Sequence, residues 1–442
     1  MFKNIVSNLV SLLKYLVRWM LVTTPVAVAI GSMVAFFLWL LSWAIHFRFA
    51  HTWLLYLLPA AGAVIHLLYK WYGASAERGN NLIIDEIHQP GAGVPKRMAP
   101  LILITTVITH LFGGSAGREG TAVQIGGSLA NWFGSLFKLD GGDKKVILTA
   151  GVAAGFGAVF GTPLTGTIFA LEVIAIGRIP YRSFFACLVA GYVGDITVSL
   201  WGIHHTLYHI DIVNTGQTFY GIHLPLGLWL LGKVVVASAV FGGVSYAFAR
   251  AVHMVKNFSL KWIKITWVIP IIGGLVIITL TYILGKPDYL SLGVDAEYPG
   301  AVTIVSAFQH AGADAFSWLW KLIYTAITLG TGFKGGEVTP LFYIGSTLGN
   351  SLAELMNAPV GLFAALGFIA VFAGATNTPI ACTLMGIELF GGEYAIFFAI
   401  ACFTAYFFSG DGGIYLAQKT ALSKTELAKT KYLKRMFGKY RL

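Results

Sequence analysis

Long apolar runs recur along the whole chain, and short polar or glycine-rich breaks separate them. Examples are VAVAIGSMVAFFLWLLSWAI in the first half and GLVIITLTYIL in the second. These runs are longer than the strands of a membrane barrel, which span about 9–11 residues. Because backbone in contact with lipid must satisfy its own hydrogen bonds, the pattern predicts transmembrane α-helices. The fold class is therefore an all-α polytopic membrane protein.

Composition supports a membrane-embedded chain. Of the 442 residues, 57% are hydrophobic and 11% are charged, whereas soluble domains carry about 25% charged residues. The formal net charge is +11, and most of it lies in the tail after Gly412, with eight Lys or Arg and one Glu. This bias follows the positive-inside rule and predicts that both termini are cytoplasmic. Nucleic-acid binding is not expected.

Three regions follow from the distribution of basic and apolar residues. Lysine and arginine are interspersed with apolar residues over positions 1–20, which predicts an amphipathic helix on the cytoplasmic surface of the membrane. Residues 21–418 form the predicted transmembrane domain. Residues 419–442 form the predicted basic cytoplasmic tail. No cleavable signal peptide is indicated.

The two halves of the chain resemble each other. The segment TAVQIGGSLAN, which begins at Thr121, shares Ile, Gly, Leu and Asn with PLFYIGSTLGN, which begins at Pro340, at a constant offset of 219. Further on, TPLTGTIFALE matches TPIACTLMGIE at an offset of 216. We predict a duplication with repeats at about 21–205 and 223–418. Duplicated halves are typical of transporters that bind substrate at the repeat interface.

Three glycine-rich breaks precede apolar segments. They read GNN from Gly79, GSAGREGT from Gly114 and GTGFKGGEVTP from Gly330. The segments that follow are shorter than the about 20 residues that a span requires. They cover residues 79–88, 121–133 and 340–352. We expect half-helices whose N-termini lie inside the protein, where their free N–H groups form an anion site.

The sequence GREG places Arg118 and Glu119 between glycines in an apolar chain. An ionisable residue at membrane depth is costly and by default marks an ion or proton pathway. Glu119 is therefore a candidate gate or proton carrier, with helix capping or pairing with Arg118 as the alternative. Arg118 is a candidate anion ligand or a structural residue that binds carbonyls.

Other candidates each have a simpler alternative. Glu337 brings a second carboxylate to the third break, or caps a helix. Asn80 contacts the anion, or is an N-cap. Tyr415 follows Gly412-Gly413 and contributes a hydroxyl, or belongs to an interfacial aromatic belt.

Two further groups are interpreted as structural. Glu172 and Glu388 each follow a repeat proline by nine residues, and their symmetry indicates helix ends. A cluster of His204, His205, His209 and Asp211 is either a metal site or a polar loop. The three cysteines, Cys187, Cys382 and Cys402, lie in apolar runs and indicate neither a disulfide framework nor a metal centre.

In this order and repeat arrangement, the segments resemble the CLC family of anion channels and anion/proton antiporters. The resemblance covers essentially the whole chain apart from both tails. It implies the CLC-type inverted-repeat fold, with many tilted and broken helices, and a homodimer with one pore per subunit. It also implies that Glu119 is the external gating glutamate and that Tyr415 lines the central anion site.

Departures from the usual family pattern indicate which subgroup of the family the chain resembles. Asn80 stands where chloride members usually have serine, and Thr121 follows GREG in place of proline. The second-repeat motif contains Glu337. Val173 follows Glu172, where chloride/proton antiporters carry an internal proton-transfer glutamate. Together these changes resemble the fluoride-exporting subgroup.

The resemblance therefore implies a secondary active transporter, not an enzyme, that exports fluoride in exchange for protons across the cell membrane without a cofactor. Chloride/proton exchange or passive anion conduction is the alternative. The coupling carboxylates would be Glu119 and Glu337. The residues expected at the anion path are Gly79, Asn80, Asn81, Gly117, Arg118, Gly120, Gly336, Val338, Thr339 and Tyr415.

Overall fold

The structure is a computed structural model that describes residues 2–210, 217–219, 222–224, 227–420 and 423–424. Most of these residues are α-helical, which confirms the predicted fold class. In chain order the helices are α1 (Phe2–Ala50), α2 (Leu58–Leu68), α3 (Asn80–His88), α4 (Met98–Leu111), α5 (Glu119–Leu136), α6 (Gly141–Phe160), α7 (Pro163–Glu172), α8 (Phe184–Leu200), α9 (Leu228–Trp262), α10 (Val268–Leu284), α11 (Ser317–Gly330), α12 (Val338–Met356), α13 (Val360–Thr376), α14 (Pro379–Phe390) and α15 (Ala395–Phe408).

Short elements connect the helices. The strands β1 (Ala175–Ile176) and β4 (Lys419–Thr420) pair in parallel, and β2 (Gln217–Phe219) and β3 (Ile222–Leu224) pair antiparallel. Single turns of 3₁₀ helix cover Thr52–Leu57, Ala74–Arg78, Tyr181–Ser183, Ser306–Phe308 and Gly392–Tyr394, and a π turn covers Tyr69–Gly73.

Four helical stretches of the described chain are long and apolar enough to cross a membrane. They are Ser7–Ala50, Thr52–His88, Tyr181–Leu200 and Leu228–Trp262. Apolar helices of 10–17 residues pack around them. The protein is therefore an integral membrane protein with several spans.

Helix α1 runs without a break through the expected boundary at residue 20. Trp19 and Val26 are both buried, with exposed fractions of 2% and 1%, so one apolar stripe continues through that point. Pro25 lies inside the helix and does not end it. The predicted surface helix and the first span are thus one element. Residues 425–442 of the predicted tail lie outside the described residues.

Helices α5 and α12 are longer than the expected half-helices. They contain 18 and 19 residues, because each begins two positions earlier than expected and continues for at least three positions longer. Only α3, with nine residues, is as short as predicted. The N-termini of all three nevertheless lie inside the protein.

The repeat is visible in the packing of equivalent helices. A Cβ placed on Gly126 would lie 2.1 Å from the carbonyl oxygen of Gly151, where α5 crosses α6. A Cβ placed on Gly345 would lie 2.0 Å from the carbonyl oxygen of Gly367, where α12 crosses α13. Both crossings need glycine for direct backbone contact, and each half of the chain contains one.

Two glutamates cap helices reciprocally across the repeats. Glu172, at the end of α7, accepts hydrogen bonds from the N–H groups of Ile380 and Ala381 at the start of α14, at 3.1 and 2.8 Å. Glu388, in α14, accepts from the N–H groups of Leu164 and Thr165 at the start of α7, at 3.0 and 2.7 Å. This confirms their structural role, since each neutralises free N–H groups of the partner helix.

Candidate functional site

The second and third glycine-rich breaks meet through their backbones. The N–H of Gly117 donates to the carbonyl of Gly336 at 2.6 Å, and the N–H of Gly336 donates back to the carbonyl of Gly117 at 2.7 Å. The two residues form an antiparallel pair. GREG and GGEVTP, 219 positions apart, therefore lie against each other, with α5 and α12 leading away.

Glycine is required at this contact for steric reasons. A Cβ on Gly336 would lie 2.8 Å from the backbone nitrogen of Gly120, and a Cβ on Gly117 would lie 2.8 Å from the Oε2 of Glu119. Both distances are shorter than real Cβ contacts. The glycines bring the two helix N-termini together.

Glu119 is buried at this junction, with 1% of its surface exposed. Its Oε2 accepts a hydrogen bond from the N–H of Thr339 at 3.0 Å, and its Oε1 accepts from the Thr339 hydroxyl at 2.5 Å. Oε2 also accepts from the N–H of Arg118 at 3.1 Å. The carboxylate thus caps a helix, as the alternative interpretation expects, but the helix is α12 of the other repeat.

Arg118 lies beside Glu119 without a close hydrogen bond to its carboxylate. Its Nε is 3.8 Å from the Oε1 of Glu119, and 22% of its side chain is exposed. Within the described part of the chain the guanidinium donates to no carbonyl, and its Nε is buried without a partner. Among the described residues, therefore, no contact supports the carbonyl-binding interpretation, and the guanidinium borders open space.

The first break brings a third helix start to the same place. Asn80, at the start of α3, lies beside Gly120. Its Nδ2 is 3.2 Å from the position that a Cβ on Gly120 would occupy. Asn80 makes no capping hydrogen bond, and its Oδ1 is buried without a partner in the part of the chain that the structure describes. Gly79 precedes it with a φ of +56°, which suits glycine. The N-cap alternative for Asn80 is therefore wrong. Its neighbour Asn81 accepts instead from the N–H of Ala417 at 2.9 Å.

A cavity of about 830 Å³, which we call the Glu337 cavity, opens on one side of the junction. Glu337 holds the N-cap position of α12 but makes no capping hydrogen bond with its side chain. The cap alternative is therefore wrong, because the carboxylate faces the cavity. The lining residues used below are Arg78, Gly79, Asn80, Asn81, Arg250, Lys256, Lys334, Glu337 and Tyr415.

Tyr415 has an exposed fraction of 6% and lines the Glu337 cavity. A residue of an interfacial aromatic belt would be exposed to lipid headgroups. The burial of Tyr415 excludes that alternative.

Space also opens on the opposite side of the junction. A cavity of about 470 Å³, which we call the Arg118 cavity, is lined by Arg118, His205 and Asp295 among others. A neighbouring cavity of about 370 Å³ is also lined by Arg118 and Asp295, and by Glu297. The contact between Glu119 and Thr339 therefore lies between the Glu337 cavity on one side and these two cavities on the other.

The ends of equivalent helices point to opposite sides. After α8 the chain passes Gly202 and His204, which line the Arg118 cavity. After α15, the equivalent of α8, it passes Asp411 and Gly412, which line the Glu337 cavity. This is the expected inversion of the two repeats.

Both terminal segments contact the stretch of chain between α7 and α8. The hydroxyl of Tyr15 donates to the carbonyl of Arg182 at 2.7 Å, and Arg182 also pairs with Asp143. On the same face, the N–H of Lys419 donates to the carbonyl of Ile174. The described parts of both terminal segments therefore pack close together, and the cytoplasmic position of the termini stays a prediction.

Several features of the site were not predicted. Lys256 and Lys334 line the Glu337 cavity, but in sequence they resemble other interfacial lysines. His205 was noted only within the histidine cluster, and the described residues contain no group of three metal-binding side chains. Asp211 of that cluster lies outside the described residues. The three cysteines are buried and unpaired.

Comparison with known proteins identifies the architecture. The family described as "Voltage gated chloride channel" matches residues 61–410. A "Chloride/fluoride channel protein" of Pseudomonas syringae pv. tomato is 47% identical over 93% of this chain and 89% of its own. An "H(+)/Cl(-) exchange transporter ClcA" of Vibrio cholerae serotype O1 is 24% identical over 69% of this chain and 68% of its own.

Two solved structures of CLC-type transporters share the fold of this chain. A crystal structure of a CLC-type fluoride/proton antiporter superposes with a TM-score of 0.83 and 34% identity, covering 92% of this chain and 98% of that one. A slow cyanobacterial Cl⁻/H⁺ antiporter, at 17% identity, shares the fold with a TM-score of 0.74 over 96% of this chain and 99% of that one. The chain therefore belongs to the CLC family of voltage gated chloride channels and anion/proton transporters.

Proposed function

We propose that this protein is a fluoride/proton antiporter that exports cytoplasmic fluoride in exchange for protons. The observation that carries the proposal is the position of the Glu119 carboxylate on the donors of Thr339. A carboxylate held by the N–H and hydroxyl of a helix start occupies a place suited to an anion.

The same donors cannot serve both anions at once. An ionised Glu119 repels a second anion strongly where the dielectric is low. Protonation of Glu119 removes the negative charge and weakens its hold on Thr339, so the donors become free for fluoride. Proton binding at Glu119 and anion binding at Thr339 are thus coupled, which is what an exchanger requires.

Fluoride suits the groups that meet at the junction. It is small and strongly hydrated, so removing its water requires strong and closely placed donors. The N–H and hydroxyl of Thr339 supply such donors, and the amide of Asn80 adds another. The similarity to a CLC-type fluoride/proton antiporter supports this choice of substrate.

Charge indicates which side is cytoplasmic. Arg78, Arg250, Lys256 and Lys334 line the Glu337 cavity. On the opposite side, Arg118 is the one lysine or arginine among the described residues that line the Arg118 cavity and its neighbour. By the positive-inside rule the Glu337 cavity and both termini are cytoplasmic. Glu119 then exchanges protons with the outside through the Arg118 cavity. We place the protein in the cell membrane as a homodimer, in accordance with the resemblance to the CLC family.

The direction of transport follows from the membrane potential. Export of one fluoride with import of one proton moves two charges down a negative-inside potential. At 100 mV this is worth about 4.6 kcal/mol, from roughly 2.3 kcal/mol per charge. A one-for-one exchanger of this orientation therefore expels fluoride.

Flux measurements on reconstituted protein test the proposal. Proteoliposomes loaded with fluoride are diluted into fluoride-free buffer, and external fluoride and pH are recorded together with electrodes. We expect fluoride efflux accompanied by proton uptake, and much slower efflux from chloride-loaded vesicles. Coupled chloride efflux without fluoride efflux would favour the chloride/proton alternative. Fluoride efflux without proton uptake would make the protein a passive channel.

A further inference from the structure

A very small cavity separates Glu119 from the Arg118 cavity. Its volume is about 20 Å³, and Glu119, Thr339, His205 and Tyr208 are among the residues that line it. This is room for about one water molecule. Most of the remaining lining is apolar, and Phe342 stacks there on Phe368 at 3.9 Å between ring centroids. Glu119 itself is 1% exposed, so its carboxylate is shielded from bulk water.

His205 lines both this small cavity and the Arg118 cavity, as do Arg118 and Thr206, and of the three only His205 carries an imidazole ring. The Nε2 of the ring is buried, has no hydrogen-bond partner among the described residues and lies 3.9 Å from the Oδ1 of Asp195. The ring packs directly against the backbone of Gly161. A Cβ placed on Gly161 would lie only 2.5 Å from the Cδ2 of His205, so this contact holds the ring in place. A side chain with two exchangeable nitrogens is thus held in place with an open hydrogen-bonding position.

We propose that His205 relays protons between the outer solution and Glu119, an inference that rests on the proposed exchange of fluoride for protons. A hydronium ion in the Arg118 cavity protonates one ring nitrogen of His205, which becomes an imidazolium. The other ring nitrogen then gives up its proton through the water of the small cavity to the carboxylate of Glu119. The ring returns to its neutral form, and Glu119 becomes a carboxylic acid.

The surroundings keep the ring neutral between transfers. Burial lowers the pKa of His205, in the loop after α8, to about 4, and the charges of Arg118 and His204 act in the same direction. The titratable and charged groups around the two cavities are His46 of α1, Arg118, Glu119 of α5, Asp195 of α8, His204, Tyr208 and Asp295. A neutral ring offers one donor and one acceptor, as a relay requires, and does not trap the proton.

His209 provides a matched control. It is exposed, lies in the same loop and lines neither the Arg118 cavity nor the small cavity. In proteoliposomes at external pH 7, His205→Gln should slow proton-coupled fluoride exchange by about tenfold or more. Side chains that transfer protons in catalysis typically contribute about 10²–10⁴-fold. His209→Gln should leave the rate unchanged. The defect of His205→Gln should shrink as the external pH falls, because hydronium becomes more abundant.

Rescue separates a relay from a structural role. His205→Ala leaves a gap the size of its ring, and imidazole added outside should restore coupled exchange. In the Glu119→Gln background, which has no carboxylate to protonate, adding His205→Gln should not slow fluoride movement further. A defect that imidazole does not restore, or that persists in that background, would make His205 structural and overturn the relay.

Measurements on the wild-type protein distinguish a failure of the proposed exchange from a failure of the His205 relay. If wild-type protein moves fluoride without protons, the proposed function itself is wrong. If wild-type protein couples the two ions and His205→Gln does so at the same rate, only the relay is wrong.

Discussion

The carboxylate of Glu119 accepts hydrogen bonds from both the backbone N–H and the hydroxyl of Thr339, 220 positions later in the chain. One residue belongs to the first repeat and the other to the second. The start of α12 is thereby capped by α5. Any anion that uses the donors of Thr339 must first displace this carboxylate, so opening the site requires breaking contacts between the repeats.

The Thr339 hydroxyl can be removed while its N–H is kept. A hydrogen bond to a charged group contributes about 1.5–3 kcal/mol. Thr339→Val should therefore release Glu119 at least about tenfold more often and lower the number of protons moved per fluoride. Thr339→Ser keeps the hydroxyl and should behave like wild type. Simultaneous fluoride and pH recordings measure the ratio, and equal ratios in all three proteins would show that the hydroxyl does not hold the carboxylate.

Glu337 tests whether the second carboxylate lies on the anion path. Glu337→Gln removes its charge from the Glu337 cavity. We expect fluoride efflux to fall by about tenfold or more, by analogy with other acid–base groups. Glu354→Gln is the control, because that residue is exposed near the other end of the same helix and its carboxylate accepts from the N–H of Ala311. Wild-type efflux in Glu337→Gln would remove the residue from the path.

Gly336 tests the close approach of the two breaks. A methyl group there would lie 2.8 Å from the backbone nitrogen of Gly120 and 3.2 Å from that of Glu119. Gly336→Ala should destabilise the fold by about 1–3 kcal/mol, the usual cost of overpacking, and should reduce fluoride efflux. Gly232→Ala, where a Cβ meets nothing within 4 Å, should change neither property. Thermal unfolding in detergent and liposome efflux measure both, and a fully stable and active Gly336→Ala would contradict the packing described.

The reciprocal caps should matter for stability and not for coupling. Glu388→Gln weakens the cap on α7 by removing its charge, at a cost of about 0.5–2 kcal/mol. The unfolding temperature should fall, while the ratio of protons to fluoride should stay at the wild-type value. Glu393→Gln, an exposed acid nearby, should leave both unchanged. A changed ratio in Glu388→Gln would place that residue in the proton pathway.

The sequence predicted that the glycine-rich breaks meet inside the protein, for a physical reason. Glycine-rich breaks before apolar helices mark N-termini that cannot face lipid, so they must meet inside the protein. The constant offset between repeats indicated that GREG and GGEVTP would be equivalent. Their direct pairing through Gly117 and Gly336 is consistent with that symmetry.

Features that depend on side-chain geometry could not be predicted. Nothing near Thr339 in the chain indicates that its hydroxyl binds Glu119, because the partner lies in the other repeat. His205 lies in a loop whose path is set by tertiary packing, and the sequence gives only a cluster of histidines. Apolar patterning could not fix the lengths of α5 and α12 either, since buried helices have no polar face to mark their ends.

The most direct measurement compares wild type with Glu119→Gln in fluoride-loaded proteoliposomes, with fluoride and proton movements recorded in the same vesicles. If Glu119 couples the two ions, wild-type efflux is accompanied by proton uptake, and the variant moves fluoride without protons or does not move it. A Glu119→Gln variant that exchanges fluoride for protons at the wild-type ratio would show that the carboxylate held by Thr339 is not the coupling group.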